Sequence, residues 1–165
     1  MAESEGVSYS VPGGRPAVQP ALLMVGLSEQ SRSPLTRMAE DFGWTAFEAA
    51  GCGAAAAVLR SEEIAVVVCE QHLPDGSWRS VLEEAEGAAC RPHVIVASQL
   101  ADHSLWGEVL NVGGYDLLAQ PFAEDEVRRV VSLAWEAKCR VASGPPAARR
   151  PARGEAPDRA AATAA

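Results

Sequence analysis

The feature that most constrains this chain is a fivefold alternation of two hydrophobic periods. Short apolar runs of strand-forming residues recur at Ala21–Val25 (ALLMV), Thr45–Ala49 (TAFEA), Ile64–Cys69 (IAVVVC), His93–Ala97 (HVIVA) and Tyr115–Ala119 (YDLLA). Three of them are almost continuously apolar, the pattern of a strand covered on both faces. Helical spacing fills the intervals: Leu35, Met38, Ala39 and Phe42; the alanine-rich GCGAAAAVLRSEE; Trp78, Val81, Leu82 and Ala85; Leu105, Trp106, Val109 and Leu110. A last helix carries Val127, Val130, Val131 and Ala134 behind an acidic first turn, AEDE, which suits the positive end of its dipole. Strands alternating with helices pair in parallel through right-handed crossovers, so the pattern predicts an α/β domain: a five-stranded parallel sheet with helices on both faces. Functional residues of such folds gather at the carboxyl ends of the strands, and Glu70 stands at one of them.

With 48% hydrophobic residues in 165, the chain can bury one real core without staples. Residues 1–20 and 142–165 are rich in Gly, Pro, Ser or Ala without apolar periodicity and read as disordered tails, leaving 21–141 as the globular domain. A net charge of −8 argues against a nucleic-acid surface over the whole domain. From Ala142 onward there are four arginines against Glu155 and Asp158, so the tail carries +2 and leaves −10 for the rest. A solvated end is the plain reading of that tail, and contact with an acidic partner or nucleic acid is the sharper one. Cys52, Cys69, Cys90 and Cys139 form no CxxC pair and, with His72, His93 and His103, no zinc spacing; neither metal nor cofactor is expected. No leader precedes them and the longest apolar run, ALLMVGL, is too short to span a membrane, so a soluble cytoplasmic protein with reduced thiols is expected.

The stretches VVVCEQHLPDGSW, VIVAS and GGYDLLAQPF, the last followed by an acidic helix start, occur in order over residues 21–141. Together they resemble the receiver domain of bacterial two-component response regulators, which implies a (βα)5 flavodoxin-like receiver fold. Receivers accept a phosphoryl group on an aspartate that ends the third strand, five residues before the aspartate of LPDG; Glu70 holds that position here. The acidic pair that would bind magnesium after the first strand is replaced by Gly26 and Leu27, and the lysine before the PF proline by Gln120. The one lysine, Lys138, lies near the end of the last helix. Ser98 keeps the hydroxyl ending the fourth strand; Leu117 takes the aromatic switch position, with Tyr115 expected on the same strand face.

Phosphoryl transfer rests on positioning and on charge neutralisation by a metal and a cation. Loss of all three elements implies a degenerate receiver, a pseudo-receiver without enzymatic activity. Glu70 then has three readings: a fixed mimic of the phosphorylated state, supplying about one charge where phosphate supplies nearly two; part of a non-switching scaffold; or a bystander to control by another ligand. The fourth helix, fifth strand and fifth helix through which receivers bind partners contain Trp106, Val109, Tyr115, Arg128 and Trp135. The resemblance thus implies a stand-alone signalling domain with a protein partner, such as a sensor kinase or transcriptional regulator, or a homodimer through that surface.

A rival of another class is GCGAAA, Gly51–Ala56, a G-x-G-x-x-A pattern between a strand and a helix, with Glu70 nineteen residues beyond its first glycine. That matches a dinucleotide fingerprint using Gly51, Gly53 and a ribose-binding acid. Against it, the motif follows the second strand, and glycines there also simply relax a tight turn. Ser98, His72 and Asp75 share a sheet edge, but no G-x-S-x-G elbow supports a hydrolase triad.

Overall fold

Side-chain parity shows why the apolar runs become strands. The computed structural model describes residues 19–143, so the expected tails lie outside it but for Gln19, Pro20, Ala142 and Ser143. The order is β1 (Ala21–Val25), α1 (Glu29–Phe42), β2 (Thr45–Ala49), α2 (Cys52–Ser61), β3 (Val66–Glu70), a small ribbon β4 (His72–Leu73) and β5 (Gly76–Ser77), α3 (Trp78–Gly87), β6 (His93–Ser98), α4 (His103–Asn111), β7 (Asp116–Ala119) and α5 (Glu124–Ser143). Five strands form one parallel sheet in the order β2-β1-β3-β6-β7.

Successive residues of the central strands part to opposite faces. Leu23, Val25, Val67, Cys69, Val94 and Val96 meet Ala55 and Leu59 of α2, Val81 and Leu82 of α3, and Leu105 and Val109 of α4. Leu22, Met24, Val66, Val68, Ile95 and Ala97 meet Leu35 and Met38 of α1 and Val127, Val130 and Val131 of α5. Each fully buried aliphatic side chain contributes roughly 1.5–3 kcal/mol, so a one-residue slip of β3 would exchange two whole sets of contacts. The edge strand β2 is largely exposed up to Ala49.

Helix ends are set locally. Ser28 caps α1 by accepting the Ser31 N–H at 3.3 Å. Gly43 closes it in the left-handed region at φ 69°, while the Trp44 N–H bonds the Ala39 carbonyl at 2.7 Å. Because β1 pairs with both β2 and β3, the chain leaves the sheet in opposite directions at the carboxyl ends of β1 and β3. Gly26 and Glu70 flank that point.

Candidate functional site

Glu70, the last residue of β3, is half-buried and accepts the Gln120 Nε2–H at 2.8 Å. Gln120 directly follows β7, and the same nitrogen lies 3.3 Å from the Ser31 Oγ of α1. A neutral amide therefore joins three elements across the carboxyl edge of the sheet. The peptide bond from Gln120 to Pro121 is cis.

The two positions after β1 offer no carboxylate, and their space is taken. Gly26 has φ +68° and donates its N–H to the Ala49 carbonyl at 2.8 Å; a Cβ added there would collide with the Leu73 side chain and stand 3.5 Å from the Glu70 Cβ. Leu27 is buried in the α1/α5 core. Among the described residues no group of three or more His, Cys, Asp or Glu side chains is arranged to hold a metal ion. Arg32 shares a groove with Gly26 and Leu27, but its guanidinium is paired with Glu48.

The switch positions are occupied differently from each other. Ser98, only 3% exposed, donates its hydroxyl to the Gln71 Oε1 at 2.7 Å and accepts the Leu100 N–H at 3.0 Å, so its bonds go to Gln71 and Leu100 rather than to Glu70. Leu117 packs on the α2–α4 side, whereas Tyr115 packs on the α1/α5 side with its ring 4.9 Å from that of His93. The expected common face for these two residues is thus corrected. Tyr115 precedes β7 on an edge of the sheet, where its ring can turn around the strand toward the other core.

The GCG turn is also occupied. Asp75, from LPDG, accepts the Cys52 N–H at 2.7 Å and the Gly53 N–H at 3.0 Å, and these two bonds hold its carboxyl below the ordinary range. A Cβ on Gly51 would strike that carboxylate. The donors that a pyrophosphate would need at the start of α2 already serve an internal anion, and Glu70 is turned toward Gln120. The geometry thus runs against the dinucleotide reading of Gly51, Gly53 and Glu70. Burial, then Asp75, pushes the Cys52 thiol up, and burial pushes Cys69 up more strongly, so neither is poised as a thiolate. With Ser98 on Gln71, Asp75 on α2 and His72 exposed, no hydrolase triad assembles.

Of the five residues expected on a partner surface, Tyr115 packs against the α1/α5 core beside His93 as described above, and the other four divide into three groups. Val109 is 0% exposed and belongs to the core, a correction that follows from its place on the inner stripe of α4. Arg128 pairs with Asp41 and lies over the Phe42 ring at 5.6 Å, and Trp135 meets Trp44 edge-on with centroids 5.8 Å apart, so both face the α1 side. Trp106 is 47% exposed, its Nε1–H directed at the Asp116 Oδ1 at 3.2 Å. Ser31, Gln71 and Leu73, which complete the surroundings of Glu70, carried no signal in the sequence, because each is recognisable only once the loops have been placed.

The chain matches no protein-family profile and no curated protein. Among solved structures it is similar to the signal receiver domain of an HD domain-containing protein from Pseudomonas fluorescens Pf-5, with 22% identity, a TM-score of 0.65, and coverage of 73% of this chain and 98% of that one. The receiver domain of Francisella response regulator 1452 gives 22% identity and a TM-score of 0.63 over 72% of this chain and 98% of that one. A third, the receiver domain of a sensor histidine kinase from Pseudomonas aeruginosa PAO1 with a magnesium ion coordinated in its active-site cleft, gives 18% and 0.61 over 72% of this chain and 98% of that one. These likenesses establish the fold as that of a receiver.

Proposed function

We propose that this chain is a pseudo-receiver: a signalling domain that works through protein contacts and takes up no phosphoryl group at Glu70. One observation carries the reading. The side chain facing Glu70 from the end of β7 is the neutral amide of Gln120, at 2.8 Å, where the receiver resemblance places a lysine. Gly26 and Leu27 support it from the other side, since neither can hold the magnesium ion that neutralises a transferring phosphoryl group. Of the three roles open to Glu70, the non-switching scaffold fits these contacts best. Among the described residues the glutamate meets no cation, and the Ser98 hydroxyl is engaged by Gln71 instead of turning to it.

The partner surface centres on α4 rather than on the whole α4–β7–α5 set. Trp106, Leu110 and Val112 are exposed apolar side chains there, with Leu133 exposed on α5; an aromatic anchor among aliphatic neighbours is the composition of an interface centre. The proposed partner is a signalling protein, a sensor kinase or transcriptional regulator, or a second copy of the chain. Among the described residues no helix is long and apolar enough to cross a membrane.

Incubation with acetyl phosphate and magnesium chloride, followed by intact-mass measurement, tests the central claim. An unchanged mass is expected. A stoichiometric adduct that disappears in Glu70→Gln would overturn it.

A further inference from the structure

Beside Trp106 lies an open groove of about 400 Å³ whose lining includes Asp102, His103, Leu117, Ala119 and Glu126. The Trp106 Nε1–H bonds the Asp116 Oδ1 at 3.2 Å, and the same oxygen accepts the Leu117 N–H at 2.8 Å. The indole is thereby tied to the start of β7 while it stays half exposed. Three carboxylates border it. Asp102, Asp116 and Glu126 have no ion-pair partner among the described residues, and Asp102 gives only one oxygen to capping α4 through the Leu105 N–H. The lining includes no arginine or lysine; Arg129, a turn beyond Glu126, is not part of it, and Arg128 is turned to Asp41. Past the acids the surface becomes apolar: Leu110 stands one turn beyond Trp106 on α4, and Leu133 two turns beyond Glu126 on α5, both exposed.

We propose that this groove takes an arginine-bearing segment of a partner protein, its guanidinium on the Trp106 ring among the three carboxylates and an apolar neighbour of that arginine on Leu110. The inference rests on the reading of α4 as the partner surface and adds the partner's chemistry to it. Charge complementarity selects the occupant. An apolar or acidic segment laid over the groove would strip water from Asp102, Asp116 and Glu126 without giving them a partner, which costs more than covering Trp106 returns. A cation removes that penalty. Arginine fits better than lysine because its planar fork stacks on an indole and pairs with carboxylates in the same pose, whereas an ammonium is a hydrated point charge. A second copy of the chain is the poorer occupant: at a net charge of −8 it brings further acid to an acidic face, and like charges set against each other oppose association.

The test titrates the full-length chain, labelled with nitrogen-15, with the capped peptide acetyl-LRLRL-amide and with versions carrying lysine or the uncharged isostere citrulline in place of arginine. Single Trp→Phe variants assign the four indole N–H signals. With the arginine peptide the Trp106 signal is expected to shift and saturate while those of Trp44, Trp78 and Trp135 hold, and the lysine peptide should bind more weakly. Asp102→Asn combined with Glu126→Gln keeps a capping side chain on α4 and should weaken binding by about tenfold, the loss of two exposed charge pairs. An equal shift with the citrulline peptide, or an affinity unchanged in the double variant, overturns the arginine and leaves α4 as a partner surface. No Trp106 shift with any of the peptides overturns the inference together with that reading of α4. A full shift with free arginine at the same concentration would make the groove a small-molecule site, and a peptide-free signal that changes over about a hundredfold dilution would assign it to a second copy; either result also overturns the proposal. Phosphate uptake at Glu70 is read separately by intact mass.

Discussion

Glu70 and Asp75 are two carboxylates on one excursion of the chain, five residues apart, and their surroundings differ in kind. Asp75 is exposed, yet it receives two backbone N–H bonds at the start of α2, and those fixed donors favour its anionic form. Glu70 is half-buried at the position that the receiver resemblance gives to the phosphoacceptor, yet it shares one amide with Ser31. Oriented donors thus surround the acid that shapes the fold, and among the described residues no cation faces the acid at the sheet edge. A carboxylate in the right place does not make a reactive centre; what makes one is the charge arranged around it.

The sharpest attempt to undo this difference is Gly26→Asp, which puts an acid back beside Glu70. It requires a non-glycine residue at φ +68° and displacement of Leu73, so unfolding in urea should show a loss of about 1–3 kcal/mol. A fully stable variant would mean that the pocket after β1 is open rather than filled.

A smaller effect is expected at Asp75. Asp75→Ala leaves the Cys52 and Gly53 N–H groups without their acceptor, and should lower the urea midpoint and speed amide exchange at both. Because its folded-state pKa is depressed, Asp75 contributes stability above the ordinary aspartate value of about 3.9 and loses it as pH falls through the lower folded value. Wild type and Asp75→Ala should therefore converge in stability below about pH 4. A gap that widens with acid would show that the carboxylate acts by something other than its charge. Glu70→Ala, by contrast, should cost under about 1 kcal/mol at neutral pH, one hydrogen bond at a half-exposed site. A loss at Glu70 exceeding that at Asp75 would invert the comparison.

How much of this could be read in the chain depends on which physical signal each feature leaves. The five strand–helix repeats were legible because two-sided burial writes continuous apolar runs at the central strands and the crossovers write helical ones. Strand starts were less so: Ile64 is buried like a strand residue, but the ladder begins at Val66. LPDG fixed the register that singled out Glu70, and the PF proline singled out Gln120, although their separation by 50 residues left the bond between them invisible until the sheet was closed. Periodicity assigns a residue to a helix face without saying which neighbour that face meets. Val109 therefore went to the surface in expectation and to the core in fact, while Arg128 and Trp135 lie on the flank of α5 that meets α1. GCG looked like a ligand cradle because the sequence shows its donors and not the acceptor, Asp75, that reaches them from 22 and 23 residues away.

The smallest expected effect is also the one that isolates what Glu70 lacks. Gln120→Lys would set an ammonium where an amide now bonds the glutamate, at the cost of the 3.3 Å contact to Ser31. A partly exposed ion pair contributes about 0–1 kcal/mol and fades with salt, so urea unfolding should show a slight gain at low ionic strength that disappears at high. The charge by itself should not confer phosphate uptake, because Gly26 and Leu27 still supply no metal ligand and a glutamate still stands in the acceptor position. Intact mass after exposure to acetyl phosphate and magnesium should stay unchanged in Gln120→Lys and in Gln120→Lys/Glu70→Asp. An adduct in the double variant alone would place the whole deficiency in the Glu70–Gln120 pair and clear the β1 edge. No adduct in either would locate the missing component at Gly26 and Leu27, where Leu73 fills the space beside Gly26 and the core holds Leu27.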